Sequence, residues 1–456
     1  MNKGRQTLKY IVSDFLSALL AWFLFNLLRY DEVGIYQGYT SLERFLLDPH
    51  VLQGWLLIPF GWIALFYLSG YYNKPFGKSR VTEFFSTLLS VMIGAVVVFF
   101  LVLLNDLPHS FSIYYQLFFG LLGIQFICTY IPRLLITLSG IRKINKREWA
   151  QRVLIIGAGS KAKKVANSLY SLGYDIVEMV DEDELAHVQS VMETETGDEL
   201  VVAIESHNNE KRMHVLYSLY QYNRPIKVLV DKASMVSGVK VKTLLGIPLV
   251  NITDNNFSEA EKNIKKVLDY VVASLAVVLL APVYLYVACR VKRDSPGPII
   301  FSQERIGYMG KPFRIYKFRT MYEGAETNGP LLSTDDDPRI TPFGKIMRKY
   351  RLDELPQFWN VLKGDMSIVG PRPHMLKHTE EYSNLINKFM VRLFVKPGIT
   401  GWAQVTGFRG ETKELWQMEG RVQRDIWYIE HWTFLLDLYI MYKTVYNAIH
   451  GEKEAY

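Results

Sequence analysis

The sequence predicts a membrane protein in three parts: an N-terminal four-helix transmembrane bundle, a Rossmann-like α/β domain, and a C-terminal α-rich domain entered through a re-entrant membrane helix. Three observations carry that prediction. Four long apolar stretches fill the first third of the 456 residues. A glycine turn then sits inside an alternation of strand and helix patterns. Beyond a fifth apolar stretch, interrupted by Pro282, the chain becomes polar and dense in Gly, Pro, Arg and Asp. The expected boundaries are 1–140, 150–255, 260–293 and 294–456.

Composition narrows the class. At 49% hydrophobic and 21% charged residues, the chain has too much apolar mass for disorder. Its two cysteines, Cys128 and Cys289, both lie in apolar runs, which excludes a disulfide scaffold. The net charge of +7 suits a membrane surface or an anionic substrate. No motif supports a nucleic-acid partner.

The four stretches cover 11–28, 51–68, 87–104 and 111–138, each long enough to cross a hydrocarbon core of about 30 Å. Asp14, near the start of the first, is expected to reach the interface. No small-residue cleavage site follows that stretch, so it is not read as a removable signal peptide. Basic and non-basic loops alternate. Lys3 and Arg5 precede span one, and Lys74, Lys78 and Arg80 lie between spans two and three. Arg142, Lys143, Lys146, Arg147 and Arg152 follow span four. The acidic loop carrying Asp31, Glu32, Glu43 and Asp48, and the loop of Asp106 and His109, fall on the other side. Both ends of the bundle are therefore expected in the cytoplasm.

In the middle domain, the run 152–156 reads as a buried strand. It leads into Gly157, Gly159 and Ala162, spaced G-x-G-x-x-A, and then into a helix ended by Gly173. A second strand, 175–180, ends beside Asp181, 22 residues beyond Gly159. That order is the dinucleotide-binding fingerprint. The same turn also serves helix-to-strand packing, which is the reading favoured here. Strands at 199–204, 226–230 and 247–250 and a helix from about 208 to 220 complete one mononucleotide-binding half.

The fifth apolar stretch, 268–288, has basic residues on both flanks: Lys262, Lys265 and Lys266 before it, Arg290, Lys292 and Arg293 after it. A straight span cannot keep both flanks in the cytoplasm, whereas a helix broken at Pro282 and returning can. A fifth true span is the alternative.

The chemistry concentrates beyond 294. Leu355, Phe358, Trp359 and Leu362 recur at helical spacing with Gly364 as a stop, which puts Asp353 and Glu354 at a helix N-terminus. An isolated Asp-Glu pair is usually a cap. Here Lys317, Arg319, Arg348, Arg351 and Arg372 accompany it. A carboxylate among several cations is expected to stay ionised, and the same cations can hold phosphates. The set suits phosphoryl transfer, in which a carboxylate attacks phosphorus and a divalent metal shields the repulsion between anions.

With these clusters, Pro371, Arg372 and Pro373, and the run Trp402, Ala403, Gln404 and Val405, residues 260–450 resemble the bacterial polyprenyl-phosphate glycosyl-1-phosphate transferases, the monotopic phosphoglycosyl transferases. Four preceding spans and a Rossmann-like domain resemble the large form of that family. The resemblance implies transfer of a sugar 1-phosphate from a UDP-sugar to undecaprenyl phosphate with release of UMP. This is the first membrane step of capsule, exopolysaccharide or O-antigen repeat synthesis. It implies the bacterial cytoplasmic membrane, with the catalytic domain on the cytoplasmic face of the lipid bilayer. It implies Asp353 as the nucleophile that attacks the β-phosphate, and Glu354 holding Mg²⁺ beside it. Lys317, Arg319, Arg348 and Arg372 stand where the family binds phosphates, and Pro371, Arg372 and Pro373 match its nucleotide-side motif. Asp425 falls in its late acidic segment, and Pro282 matches its helix-breaking proline. Two positions depart from the pattern: Ala281 replaces a frequent serine and Thr406 the usual asparagine. Gly407, Phe408, Arg409, Gly410, Glu411 and Thr412, with Glu419 and Arg421, look closer to members transferring glucose 1-phosphate than to those using galactose 1-phosphate. For the large form, a homodimer is the oligomer to test.

Other signals are read as structural. His374 and His378 lack a third zinc ligand at suitable spacing. Asp335 to Asp337 precede Pro338 as a turn. Trp427, Tyr428 and Trp432 suit a core or an interface. A membrane-anchored nucleotide-sugar dehydratase would need Tyr and Lys four apart in the dinucleotide domain, and that spacing occurs only at Tyr439 and Lys443. A non-enzymatic scaffold would not need Asp353, Glu354 and their cations.

Overall fold

The computed structural model describes residues 3–450 except 77, 102–105, 107–109, 195–196, 205–214, 217, 220–221, 223, 230–241, 245–246, 252–256, 325–336, 376–381, 383–384, 387–388, 409 and 411–413. The described chain groups into two units. One comprises Met1–Ala150 with Ser258–Ile264, the other Gln151–Phe257 with Lys265–Tyr456.

Among the described residues, four long helices dominate the first unit: α1 (Lys3–Arg29), α2 (Pro49–Leu68), α3 (Arg80–Leu101) and α4 (Phe111–Asn145). All four are long and apolar enough to cross a membrane. Asp48 accepts from the His50 amide at 2.9 Å, and Pro49 opens α2 where no intrahelical donor is needed. Trp22, Phe25, Trp62, Phe66 and Leu117 fill the interior. Asp14 does not reach an interface. It is fully buried and accepts Nε and Nη2 of Arg133, each at 2.7 Å, and the Tyr72 hydroxyl at 2.8 Å. Arg133, in α4, also donates to Thr87 Oγ1 at 3.1 Å. Inside an apolar bundle an isolated charge is costly, so the two ions are held together with their remaining atoms hydrogen-bonded.

The second unit begins with an α/β region: β1 (Arg152–Ile156), α5 (Ser160–Ser171), β2 (Asp175–Val180), α6 (Leu185–Thr194), β3 (Glu199–Val202), β4 (Ile226–Leu229), β5 (Lys242–Leu244) and β6 (Ile247–Asn251). The sheet order is β2-β1-β3-β4-β6-β5. The first four strands are parallel, and β6 runs antiparallel to β4 and β5. Val153 to Ile156 are fully buried, as expected for a strand with both faces covered. Helix α5 buries Ala162, Val165, Ala166 and Leu169, the i, i+3, i+4, i+7 stripe of an amphipathic helix. Most of the helix expected at 208–220 lies outside the described residues. Gly157 has φ +127°, and a Cβ there would stand 2.5 Å from the Ala203 carbonyl oxygen. Close packing against the chain after β3 is thus sufficient reason for that glycine.

Next come α7 (Glu259–Leu279) and α8 (Ala281–Asp294), bent by 61° about Leu280. A pair of this shape is either a broken span or a re-entrant element. Pro282 lies in the first turn of α8, where its missing N–H costs nothing. The rest is mainly helical: the hairpin β7 (Ile300–Ile306) and β8 (Pro312–Phe318), then α9 (Pro342–Lys349), α10 (Gln357–Lys363), the parallel pair β9 (Ser367–Val369) and β10 (Gly398–Thr400), α11 (Leu415–Glu430) and α12 (Phe434–His450). Met366, Ile368, Val369, Tyr428 and Ile440 share the core around β9.

Candidate active site

The acidic pair sits between α9 and α10. Thr341 caps α9 by accepting the Gly344 amide at 3.0 Å. After α9, Arg351 takes a left-handed conformation, φ +58°. For a residue with a Cβ this costs about 1 kcal/mol. It reverses the chain into a short 3₁₀ turn, Leu352–Glu354, and Pro356 then leads into α10. Asp353 and Glu354 therefore lie in this turn, just before the helix rather than in its first turn. Both are buried. The Leu355 carbonyl after them accepts the Tyr284 hydroxyl of α8 at 2.6 Å.

Two cations meet on one carboxylate oxygen. Lys317 Nζ, from β8, lies 3.0 Å from Glu354 Oε1, and Arg372 Nη2 lies 3.1 Å from the same atom. Asp353 Oδ2 is 3.9 Å from Lys317 Nζ. The pair is thus asymmetric: Glu354 is gripped directly, and Asp353 only at ion-pair range. Burial pushes the Asp353 carboxyl above its ordinary range. Lys317 opposes that shift, Glu354 adds to it, and Arg348 and Arg372 oppose it. Desolvation thus outweighs the surrounding cations in setting the direction of the shift.

Arg348 and Arg319 differ in placement. Arg348 Nε donates to Thr320 Oγ1 at 3.0 Å, and its charge acts on Asp353. Arg319 does not join the group. Its guanidinium donates to the carbonyls of Ser295 at 2.8 Å and Pro296 at 2.5 Å, and packs against Gly297. Strand β8 ends at Phe318, so the alternation that points Lys317 inward no longer governs residue 319.

Asp425, on α11, is also away from the pair. It binds Arg392 Nη2 at 2.6 Å, both side chains are almost fully buried, and the same Nη2 donates to the Arg372 carbonyl at 3.0 Å. Asp425 therefore acts behind the segment of Pro371, Arg372 and Pro373. Arg392 carried no sequence signal, being one arginine in a motif-free run. Burial pushes the Asp425 carboxyl up, against Arg392 and Arg421.

Among the remaining expectations, Thr406 Oγ1 donates to the Trp402 carbonyl at 2.7 Å, closing the short helix Trp402–Val405. Arg421 donates to the Phe408 and Gly410 carbonyls at 3.0 and 2.7 Å. Arg409, Glu411 and Thr412 lie outside the described residues, as do His378, Asp335 and Asp336. Asp337 pairs with Arg339 at 2.6 Å in a turn before α9. Tyr428 and Trp432 are buried, while Trp427 is exposed and stacks on Trp402 with centroids 5.0 Å apart. Among the described residues no three His, Cys, Asp or Glu side chains cluster as a metal site. The Asp353 and Glu354 oxygens are nevertheless hard donors of the kind Mg²⁺ takes when substrate phosphates complete its shell.

Four apolar helices joined to a unit with a buried carboxylate pair under cationic side chains form the arrangement of a membrane-associated transferase. The chain belongs to the bacterial sugar transferase family, whose sequence model matches residues 260–451. It is 45% identical over 209 residues to the UDP-glucose:undecaprenyl-phosphate glucose-1-phosphate transferase of Escherichia coli K12, covering 46% of this chain and 45% of that protein. To the protein of the same name from Xanthomonas campestris it is 36% identical over 67% of this chain and 68% of the relative. To the undecaprenyl-phosphate galactose phosphotransferase of Salmonella typhimurium it is 30% identical over 92% of this chain and 93% of the relative. The match thus spans about half the length of the E. coli relative and nearly all of the Salmonella one.

Proposed function

We propose that this chain transfers a sugar 1-phosphate from a UDP-sugar to undecaprenyl phosphate through a covalent intermediate on Asp353. The observation that carries the reading is the asymmetry of the pair: Glu354 engages Lys317 and Arg372, and leaves Asp353 the less restrained oxygen. In the first step an Asp353 oxygen bonds to the β-phosphorus, the bond from that phosphorus to the bridging oxygen breaks, and UMP leaves. In the second step a phosphate oxygen of undecaprenyl phosphate attacks the same phosphorus. The carboxylate is released and a diphosphate-linked lipid sugar forms. Lys317 and Arg372 balance the negative charge that gathers at phosphorus. Glu354 would hold Mg²⁺, which when bound would supply charge neutralisation for the diphosphate.

Glucose is the first choice of sugar, supported by the names of the E. coli and Xanthomonas relatives. Galactose is the second, supported by the Salmonella relative that matches nearly end to end. The same reading takes the bent α7–α8 pair as re-entrant and the active face as cytoplasmic, supported by the basic residues flanking both ends of that pair. It takes the α/β region as Rossmann-like, the assembly as a homodimer, and the product as the first lipid-linked unit of a capsule, exopolysaccharide or O-antigen repeat. The test is UMP release from a panel of UDP-sugars with undecaprenyl phosphate and Mg²⁺. Release with one sugar supports the transfer and names the donor. No release with any sugar from folded protein would favour a scaffold.

A further inference from the structure

Strand β9 pairs with β10 along one edge, where the Ser367 amide donates to the Pro397 carbonyl at 2.9 Å and the Gly370 amide to the Thr400 carbonyl at 2.8 Å. Two side chains of α7 take further groups of the strand. Asp269 Oδ1 accepts the Ile368 amide at 2.9 Å and lies 3.0 Å from the Ser367 hydroxyl. Lys265, one turn earlier on the same helix face, donates to the Val369 carbonyl at 3.0 Å and to Asp437 Oδ2, of α12, at 2.6 Å. Tyr428 of α11 donates to Asp437 Oδ1 at 2.7 Å. Asp269 and Asp437 are buried. Buried backbone N–H and C=O groups need partners, but neutral side chains meet that need without the desolvation cost of ions. The charged set adds direction. An ionised Asp269 only accepts and Lys265 only donates, so the strand can sit against α7 in one register. Three residues beyond Val369, Arg372 reaches Glu354 at 3.1 Å. At the other partner of that contact, Tyr284 of α8 holds the carbonyl of Leu355, next to Glu354.

We propose that Lys265 and Asp269 are positioning residues for the transfer, and that the bent α7–α8 pair sets the Arg372–Glu354 contact from both ends. The inference rests on the transfer reading above and adds residues outside the acidic pair and its cations. Helix α7 fixes the strand that delivers Arg372, and α8 fixes the main chain beside Glu354. On the transfer reading Arg372 balances charge that gathers at phosphorus, so its placement matters most in the transition state. Misplacing such a group by about 1 Å costs up to about a hundredfold in rate. Loss of either α7 side chain therefore falls on kcat, while KM for the UDP-sugar is preserved.

The test uses full-length protein in lipid nanodiscs and a double-mutant cycle between Asp269→Ala and Arg372→Ala, read as UMP release with the UDP-sugar that works best. Asp269→Ala is expected to lower kcat by about tenfold or more with KM for the UDP-sugar within about twofold. Asp269→Asn, which keeps an acceptor for the Ile368 amide, is expected to recover most of that loss. In the Arg372→Ala background Asp269→Ala is expected to cost little more, because the group it aims is already gone. Lys265→Gln takes its place in the cycle if Asp269→Ala does not fold. Wild-type kcat in the single variant, or losses that multiply in the double one, overturn the proposal while leaving the transfer reading intact. No UMP from wild type with any UDP-sugar sinks the transfer reading instead. Hydrogen–deuterium exchange over residues 367–374 then decides the positioning: exchange as slow in Asp269→Ala as in wild type overturns it, and faster exchange supports it.

Discussion

Arg392 holds Arg372 by its backbone: the guanidinium of one donates to the carbonyl of the other at 3.0 Å, while the Arg372 side chain reaches Glu354 at 3.1 Å. Asp425 fixes Arg392 in turn, so a buried ion pair on one side of the segment sets the aim of a cation on the other.

Asp425→Asn is therefore expected to lower kcat/KM by about a hundredfold through misplacement of Arg372. Arg392→Lys, which cannot bridge two acceptors in the same plane, should do likewise. UMP release kinetics on folded variants check this. Wild-type kinetics in both would remove Asp425 and Arg392 from the positioning of the site.

Asp353→Asn is expected to abolish turnover and to prevent labelling by a UDP-sugar with a labelled β-phosphate. The same substitution should raise the melting temperature at neutral pH. A carboxyl whose pKa is raised by folding contributes stability below its unfolded pKa and loses it as pH rises through the folded one. Above that window the ionised side chain is a net cost, and asparagine removes it. On the proposed route Asp353 must be ionised to attack, so the acid limb of kcat/KM should lie above 3.8, the ordinary aspartate value. An Asp353→Asn variant that melts below wild type would contradict the stability argument. Labelling of that variant would end the covalent route.

Asp14→Ala should destabilise the bundle by about 3–5 kcal/mol, because Arg133 is left buried without its counter-charge. Replacing both, as Asp14→Leu with Arg133→Met, should recover most of that loss. Melting in detergent measures the difference. A double variant no better than the single one would mean that the ion pair itself, and not the orphaned charge, sets stability.

Pro282→Leu tests the bend between α7 and α8. The re-entrant reading expects native Cys289, exposed on α8, to react with an impermeant maleimide from the cytoplasmic side in a Cys128→Ser background. The leucine variant should lose that labelling and its activity together. Unchanged labelling and full activity would show that the proline does not return the chain.

Much of this was readable in the residues themselves. Run length and loop charge marked the four apolar helices, although α4 continues to Asn145, past the 138 expected. Asp14 was misjudged because its partner, Arg133, lies far away in sequence and only packing joins them. The Asp353–Glu354 pair stood out by its cationic company, but the left-handed Arg351 that shapes its turn leaves no mark in composition. Lys317 and Arg319 looked equivalent at alternate positions, until the end of β8 at Phe318 separated them. The edge strand Lys242–Leu244 is three residues long, too short for any period to register. Arg392 gains its meaning only from what surrounds it.

The Tyr284 hydroxyl grips the main chain one residue beyond the acidic pair. The element that follows the bend thus braces the acidic turn. Severing the chain at 294 would take that brace from the acidic turn, so the remaining piece should turn over slowly even when its lipid acceptor is delivered in dissolved form.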